Sequence, residues 1–392
     1  MTSVDPATPG RSAAPTVNYG VGAVDRIPAL VEQFGGRRLL LVCGQTSFEA
    51  SGAARMLPEL QRVADVHRWS EFQPNTDSTD LAVGLEVLRD RDPDVVLGIG
   101  GGSALDMAKL LVSYAEVPSH QVLAAIEAGR QGERRAARLV LAPTTSGSGA
   151  EATHFAVVYV GETKYSIAGA SMRADAIVLD PALTLSGSAY QRATSGIDAV
   201  AQAIESLWAT GATDRSRRFA RHALRLLVPA IERFVDEPDD GAARAMMLGS
   251  HLAGRAIDIS KTTAAHALSY GLTKRHGISH GHAVALTLGA FTEAHGDAPR
   301  SRLQPQVDPE VHEQVMSSIL RRFGASSPTD ARRRFDALLR RLGLETRMSA
   351  FGIDADRDLP DLASSVNVER LRNNPVTFEE GDLADLLTGS YR

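Results

Sequence analysis

Two fold classes meet in this sequence of 392 residues: an open α/β sheet in the first half and an all-helical body in the second. Short β-rich runs alternate with helical ones from about Val17 to Asp180. Each run ends in small or polar residues, as ligand loops do at the carboxyl ends of parallel strands. Beyond Ser188 the strand pattern stops and apolar residues recur at helical spacing. RRLLLVCG, DVVLGIGGGS, ARLVLAPTTSGSG and ADAIVLDP read as the strands. SGIDAVAQAIESLWAT, RSRRFARHALRLLVPAIERFV, AARAMMLGSHLAGRAIDIS and TAAHALSYGLTKRH read as helices separated by Pro, Gly and acidic breaks. The predicted organisation is a tail over 1–15, an α/β domain over 16–188 and a helical domain over 189–392. Residues 296–311, poor in large apolar side chains, are predicted to be a flexible insert.

Composition excludes several classes of function. With 42 Lys and Arg against 47 Asp and Glu, a net charge of −5 gives no basic face for nucleic acid or an anionic membrane. No stretch reaches the roughly 18 consecutive apolar residues of a membrane span. The one cysteine, Cys43, cannot form an internal disulfide and reads as a small buried hydrophobe. The opening MTSVDPATPGRSAAP lacks the apolar block of a secretory signal and is expected to be disordered; the chain reads as cytoplasmic.

Chemistry enters through two glycine-rich loops. Gly98-Ile99-Gly100-Gly101-Gly102-Ser103, followed by Asp106 and Lys109, opens a helix directly after a strand. Glycines let backbone approach a phosphate, and the helix start supplies free N–H groups. The spacing is not GxGxxG, so a plain tight turn remains the alternative for this run alone. Thr144-Thr145-Ser146-Gly147-Ser148-Gly149 ends another strand with hydroxyls suited to ribose and phosphate oxygens, which makes a Rossmann-like dinucleotide fold the better reading. Where such folds place a carboxylate that selects NAD, this chain has Gly44, followed by Gln45 and Thr46. A pocket without that acid admits a 2′-phosphate, so NADPH is expected ahead of NADH.

The second half carries a candidate metal site. Five of eleven histidines lie between His251 and His282, and His266 and His280 stand fourteen residues apart, downstream of Asp198 on a predicted helix. Any one of them alone could be a hydrogen-bonded structural histidine. His251 reads as structural, and His276 and His282 stay ambiguous.

GGGSALDMAK, APTTSGSGAEAT, LDPALT, SGIDAVAQAIES, HALSYGLTKRHGISHGHAVA and ERLRNNPV, in this order, resemble the iron-containing (group III) alcohol dehydrogenases over nearly the whole chain after the tail. The resemblance implies an N-terminal dinucleotide-binding domain, an all-α C-terminal metal-binding domain, an active-site cleft between them and a homodimer. It implies NAD(P)-linked interconversion of alcohols and carbonyl compounds. By position it makes Asp198, Gln202, His266 and His280 the metal ligands, with Gln202 standing where many relatives have histidine. An amide oxygen is a weaker, neutral ligand, and Fe²⁺ and Zn²⁺ both suit the set. It places Asn75 and Lys164 beside the cofactor, and Tyr270 where several relatives have a further histidine; Tyr270 is either a proton relay or a packing aromatic.

The KTTAAHALSYGLT stretch together with Gln202 is similar to the phosphonoacetaldehyde reductase branch of that family. Lys261 is expected on the same helix as His266, within one and a half turns, and Lys274 and Arg275 follow. Lys261 and Arg275 are therefore the candidate binders of a small anionic aldehyde; a solvated helix face is the plainer reading of both. The alternatives are a dehydrogenase of neutral alcohols or polyols, a hydroxyacid–oxoacid transhydrogenase, a lyase resembling 3-dehydroquinate synthase, and a non-enzymatic sensor with a decayed metal site.

Overall fold

The computed structural model describes residues 14–391 apart from 133, 134, 136, 365 and 367. Most of the expected N-terminal tail lies outside these residues. The chain forms two compact units, one of Met1–Thr144 with Ala150–Ser186, the other of Thr145–Gly149 with Gly187–Arg392.

Six parallel strands make the sheet of the first unit: β1 (Thr16–Tyr19), β2 (Arg38–Cys43), β3 (Asp65–Trp69), β4 (Val95–Gly100), β5 (Arg138–Pro143) and β8 (Ala176–Leu179), in the order β1-β8-β5-β4-β2-β3. β4 is buried along its whole length and β2 and β5 along all but their first residue. That is why they read as continuous apolar runs: a parallel strand is covered on both faces. Leu41, Cys43, Leu97, Ile99, Val140 and Val178 form the core of the unit with Val24, Ile27 and Phe48. Burial raises the pKa of the Cys43 thiol, in keeping with a packing role. In register, Cys43 pairs with Ile99 and Gly100 with Pro143, so the loops after β2, β4 and β5 leave one edge of the sheet side by side.

Four strands among the described residues have no run named for them in the sequence reading: β1 and β3 at the two edges of the sheet, and β6 (Phe155–Val160) and β7 (Thr163–Ala168), which form a separate antiparallel hairpin. Gly161, at φ 59°, and Glu162 make its turn. The fully buried Lys109 ties the hairpin to the helix after β4, donating to Thr153 Oγ1 and Phe155 O at 2.8 Å each.

The second unit is helical, as the loss of strand pattern predicts. Its site-bearing helices are numbered after α1 (Gly102–Tyr114) of the first unit: α2 (Ala189–Trp208), α3 (Asp214–Asp236), α4 (Asp240–Ser260), α5 (Ala264–His276) and α6 (His280–Asp297), followed by α7 (Pro309–Phe323). Ser188, Thr213 and Asp239 cap α2, α3 and α4 with side-chain oxygens. Pro229 lies inside α3 without ending it. No helix of the described residues is long and apolar enough to cross a membrane.

Two expectations are corrected. Residues 296–311 are not a loose insert: Arg302 O accepts from Thr377 N at 2.9 Å, Gln304 N donates to Pro375 O at 2.9 Å, and Leu303 bridges Val376. Backbone pairing replaces the apolar anchors that the segment lacks. Thr145–Gly149, expected in the α/β domain, packs within the helical unit. Gly147 O accepts from Ser250 Oγ at 3.1 Å, and Gly149, at φ 60°, sits where a Cβ would come within 2.5 Å of Gly254 Cα. Only glycine satisfies both demands at 149.

Candidate metal centre and cofactor cradle

In the helical unit, α2 presents Asp198 and, one turn on, Gln202; α5 presents His266 and the first residue of α6 is His280. One ligand atom from each of Asp198, His266 and His280 lies within 4.8 Å of the others. His280 reaches the cluster because Gly281 has no side chain: a Cβ there would come 2.0 Å from Thr194 O and 2.8 Å from Asp198 Cβ.

Hydrogen bonds, and one close ion-pair contact between His266 and Glu205, orient the donors. His266 Nε2 lies 3.2 Å from Asp198 Oδ1, and its Nδ1 is in direct contact with Glu205 Oε2. Burial pulls the His266 pKa down, but the Glu205 and Asp198 carboxylates outweigh it and raise it to about 9. Ser269 Oγ donates to His266 O at 2.7 Å and lies 3.2 Å from His280 Nδ1. A hydroxyl has one hydrogen, so His280 Nδ1–H donates to Ser269 and Nε2 keeps its lone pair for a cation. Gln202 Nε2 donates to Asp198 Oδ2 at 3.1 Å and to Ser148 O at 3.2 Å, which leaves the buried Oε1 without a hydrogen-bond partner. An orphaned carbonyl oxygen beside a carboxylate and two imidazoles fits a divalent cation as the missing partner.

The Tyr270 ring stacks on His280 at 6.3 Å between centroids. Burial raises the pKa of its phenol, against the nearby Arg370 guanidinium, so it holds its proton at neutral pH. Arg370 was not anticipated, although it stands in the ERLRNNPV motif. The asparagines of that motif are clamps: Asn373 Nδ2 donates to Ser260 O at 2.8 Å and Thr262 O at 3.0 Å.

These carbonyls turn outward because Lys261, at φ 62°, breaks the helical path. Lys261 is therefore the C-cap of α4 and not on the helix of His266, which corrects its expected place. Arg275 lies nine residues beyond His266 on α5, about 13 Å along the axis. It is exposed and pairs with Asp361 at 3.8 Å. His282 is occupied elsewhere, with Glu345 O 2.8 Å from Nε2 and the Tyr190 hydroxyl 3.3 Å from Nδ1.

In the first unit the glycines form a cradle. Gly100 has φ 156°, and a Cβ there would lie 2.7 Å from Ala104 Cβ; a Cβ on Gly98 would lie 2.8 Å from Ala108 Cβ. Strand and helix therefore approach closely, and Gly101 leaves the start of α1 without a side-chain cap. Asn75, at φ 64°, donates its backbone N–H to Ser103 Oγ at 3.1 Å, which brings two of the expected cofactor residues together. Thr144 N donates to Gly100 O at 2.9 Å. Asp106 is committed internally, to Val157 N at 3.0 Å and Lys109 Nζ at 3.5 Å. Lys164 lies on β7, opposite Tyr159. After β2, Gly44 is packed so that a Cβ would meet Ser47 Oγ at 2.3 Å, and Arg68 Nη2 donates to Gln45 O at 2.9 Å. Arg68 was also missed, because it comes from the neighbouring strand β3.

The chain matches the family description "Iron-containing alcohol dehydrogenase" over residues 14–181 and "Fe-containing alcohol dehydrogenase family, C-terminal" over residues 192–391. It belongs to the iron-containing alcohol dehydrogenase family. Among relatives of this family, a phosphonoacetaldehyde reductase of Streptomyces viridochromogenes is 32% identical over 322 residues, 80% of each chain. Long-chain-alcohol dehydrogenase 1 of Geobacillus thermodenitrificans is 30% identical over 280 residues, 70% of each chain. The crystal structure of a sulfoacetaldehyde reductase from Bifidobacterium kashiwanohense, in complex with NAD⁺, superposes with a TM-score of 0.84 at 26% identity, covering 99% of both chains. As an iron-containing alcohol dehydrogenase, the protein is an oxidoreductase with a Rossmann-like domain and a helical domain.

Proposed function

We propose that this chain is a metal-dependent, NADPH-linked reductase of a small anionic aldehyde, with phosphonoacetaldehyde, reduced to 2-hydroxyethylphosphonate, as its substrate. The observation that carries the reading is the convergence of Asp198, His266 and His280 beside the unpartnered oxygen of Gln202. Asp198, Gln202, His266 and His280 would hold Fe²⁺ or Zn²⁺, which would supply Lewis acidity to a carbonyl, with NADPH as the hydride source. Reduction would add a hydride and one proton to the aldehyde, giving the alcohol and NADP⁺. Tyr270, stacked on His280 and protonated at neutral pH, is the proton donor.

The substrate class is supported by the phosphonoacetaldehyde and sulfoacetaldehyde reductases among the relatives, whose named aldehydes both carry an oxyanion. Lys261, held in its left-handed turn by Asn373, is the candidate anion binder, with Arg370 beside Tyr270 as a second cation. Arg275 has Asp361 as its partner. NADPH is supported by the absence of an acid at Gly44; Arg68, which donates to Gln45 O and pairs with Glu49, is the cation that a 2′-phosphate would reach by displacing that carboxylate. The expected homodimer is supported by β1, a sheet edge with Val17 45% and Tyr19 39% exposed, which a second copy would cover.

The test is coenzyme oxidation with phosphonoacetaldehyde and with propanal, each with NADPH and NADH, for the wild type, Lys261→Ala and Arg68→Ala. Lys261→Ala should raise KM for the phosphonate aldehyde by about tenfold or more, equivalent to about 1.4 kcal/mol, and leave propanal unchanged. Arg68→Ala should cut kcat/KM for NADPH and spare NADH. A wild type that turns over propanal as well as phosphonoacetaldehyde removes the anionic substrate and leaves a dehydrogenase of neutral alcohols.

A further inference from the structure

Glu205 does not belong to the donor group of Asp198, His266 and His280, yet it is the most completely enclosed carboxylate around it. It stands seven residues after Asp198 and three after Gln202 on α2, so all three share one face of the helix. Its exposure is 0%. Oε1 accepts from Thr263 Oγ1 at 2.7 Å and lies 3.4 Å from His266 N. Thr263 Oγ1 in turn accepts from Trp208 Nε1 at 3.0 Å, so the carboxylate is fixed from behind by a residue at the end of its own helix. Oε2 is in direct contact with His266 Nδ1, on the far side of the ring from Asp198.

We infer that Glu205 is a positioning residue: it holds His266 in the tautomer whose Nε2 lone pair faces the metal and supplies a negative charge that the donor set itself lacks. An imidazole that donates Nδ1–H to a carboxylate has its ring plane and its free nitrogen fixed together, and is a more basic ligand for it. Charge gives an independent reason. With Gln202 neutral, Asp198 is the one anionic donor, and two buried carboxylates, Asp198 and Glu205, balance a divalent cation where one would not. Thr263 and Trp208 keep the carboxylate from rotating away.

The inference rests on the metal reading above, and the experiment separates the two. Zn²⁺ and Co²⁺ affinities of the whole protein are measured by competition with a chromogenic chelator, with the Co²⁺ absorption spectrum as a readout of ligand geometry. Glu205→Gln, nearly isosteric and still able to accept from Nδ1–H, should weaken binding about tenfold with the spectrum retained. Glu205→Ala should weaken it about a hundredfold and shift the bands. Thr263→Val, which removes the rear anchor together with the acceptor of Trp208 Nε1, should fall between the wild type and Glu205→Gln in metal affinity. If Glu205→Ala does not fold, Glu205→Gln and Thr263→Val decide. Wild-type affinity in the Glu205 variants, with or without a lower melting temperature, overturns the positioning role while leaving the metal centre intact. A wild type that binds neither ion removes the metal reading, and the role of Glu205 with it.

Discussion

Two imidazoles of the helical unit are both buried and end in opposite states. His266, on α5, has a carboxylate at each nitrogen, and its pKa rises to about 9. His295, on α6, lies against Trp208 at 4.5 Å, Phe378 at 5.5 Å and Phe291 at 6.0 Å, with no hydrogen-bond partner at either ring nitrogen among the described residues. Burial drives its pKa well below the ordinary value, reinforced by His312. Burial alone drives the proton off an imidazole; paired carboxylates reverse that and prepare a place for positive charge. The partners of a buried histidine, more than its burial, therefore say whether it belongs to a site.

The sharpest way to break this contrast is the same substitution at both positions. His266→Phe should abolish metal binding and lower aldehyde turnover by about 10³-fold, whereas His295→Phe should leave metal content and turnover at wild-type values. Equal losses, measured by metal analysis and steady-state rates, would refute the distinction. A smaller effect is expected at Gly281. Gly281→Ala forces α6 away from Thr194 O and carries His280 with it, so turnover should fall about 10²-fold while the far-ultraviolet circular dichroism stays unchanged.

The smallest effect is on stability. His295 is neutral in the folded chain, whereas its unfolded form gains a proton as pH falls through 6.5. Its titration therefore leaves stability unchanged above that pH and costs stability progressively below it, until its own lowered pKa is reached. His295→Phe should flatten the fall in melting temperature between pH 6.5 and 5, and raise stability at pH 7 by about 1 kcal/mol because two unsatisfied nitrogens disappear. A variant with the same acid limb as the wild type would show that His295 takes a proton in the folded state.

The first unit was easier to read than the second because its signals are local. A parallel strand advertises itself by continuous burial, as β4 does, and Gly98 to Ser103 announce the turn within six residues. The hairpin of β6 and β7 escaped because it lies outside that parallel rhythm. In the helical unit, Asp198, His266 and His280 were found through spaced motifs, but their orientation depends on groups that come from elsewhere in the chain: Ser269 for His280, and Glu205 for His266. Glu205 carried a legible signal, an acid on the same helical face as Asp198 and Gln202 within the mostly apolar stretch 197–207. Lys261 did not, because nothing local in Ser-Lys-Thr-Thr predicts a left-handed lysine. Asn373, more than a hundred residues later, captures the carbonyls on either side of it.

The five residues Thr145–Gly149 carry a practical consequence for anyone wishing to express either half alone. A fragment beginning at Gly187 would be born with a gap: Gln202 Nε2 and Ser250 Oγ would lose their acceptors on Ser148 and Gly147, and the backbone at Gly254 would face water. The helical half is thus a discontinuous domain, and separating it requires a circular rearrangement or a supplied peptide, not a pair of scissors at residue 187.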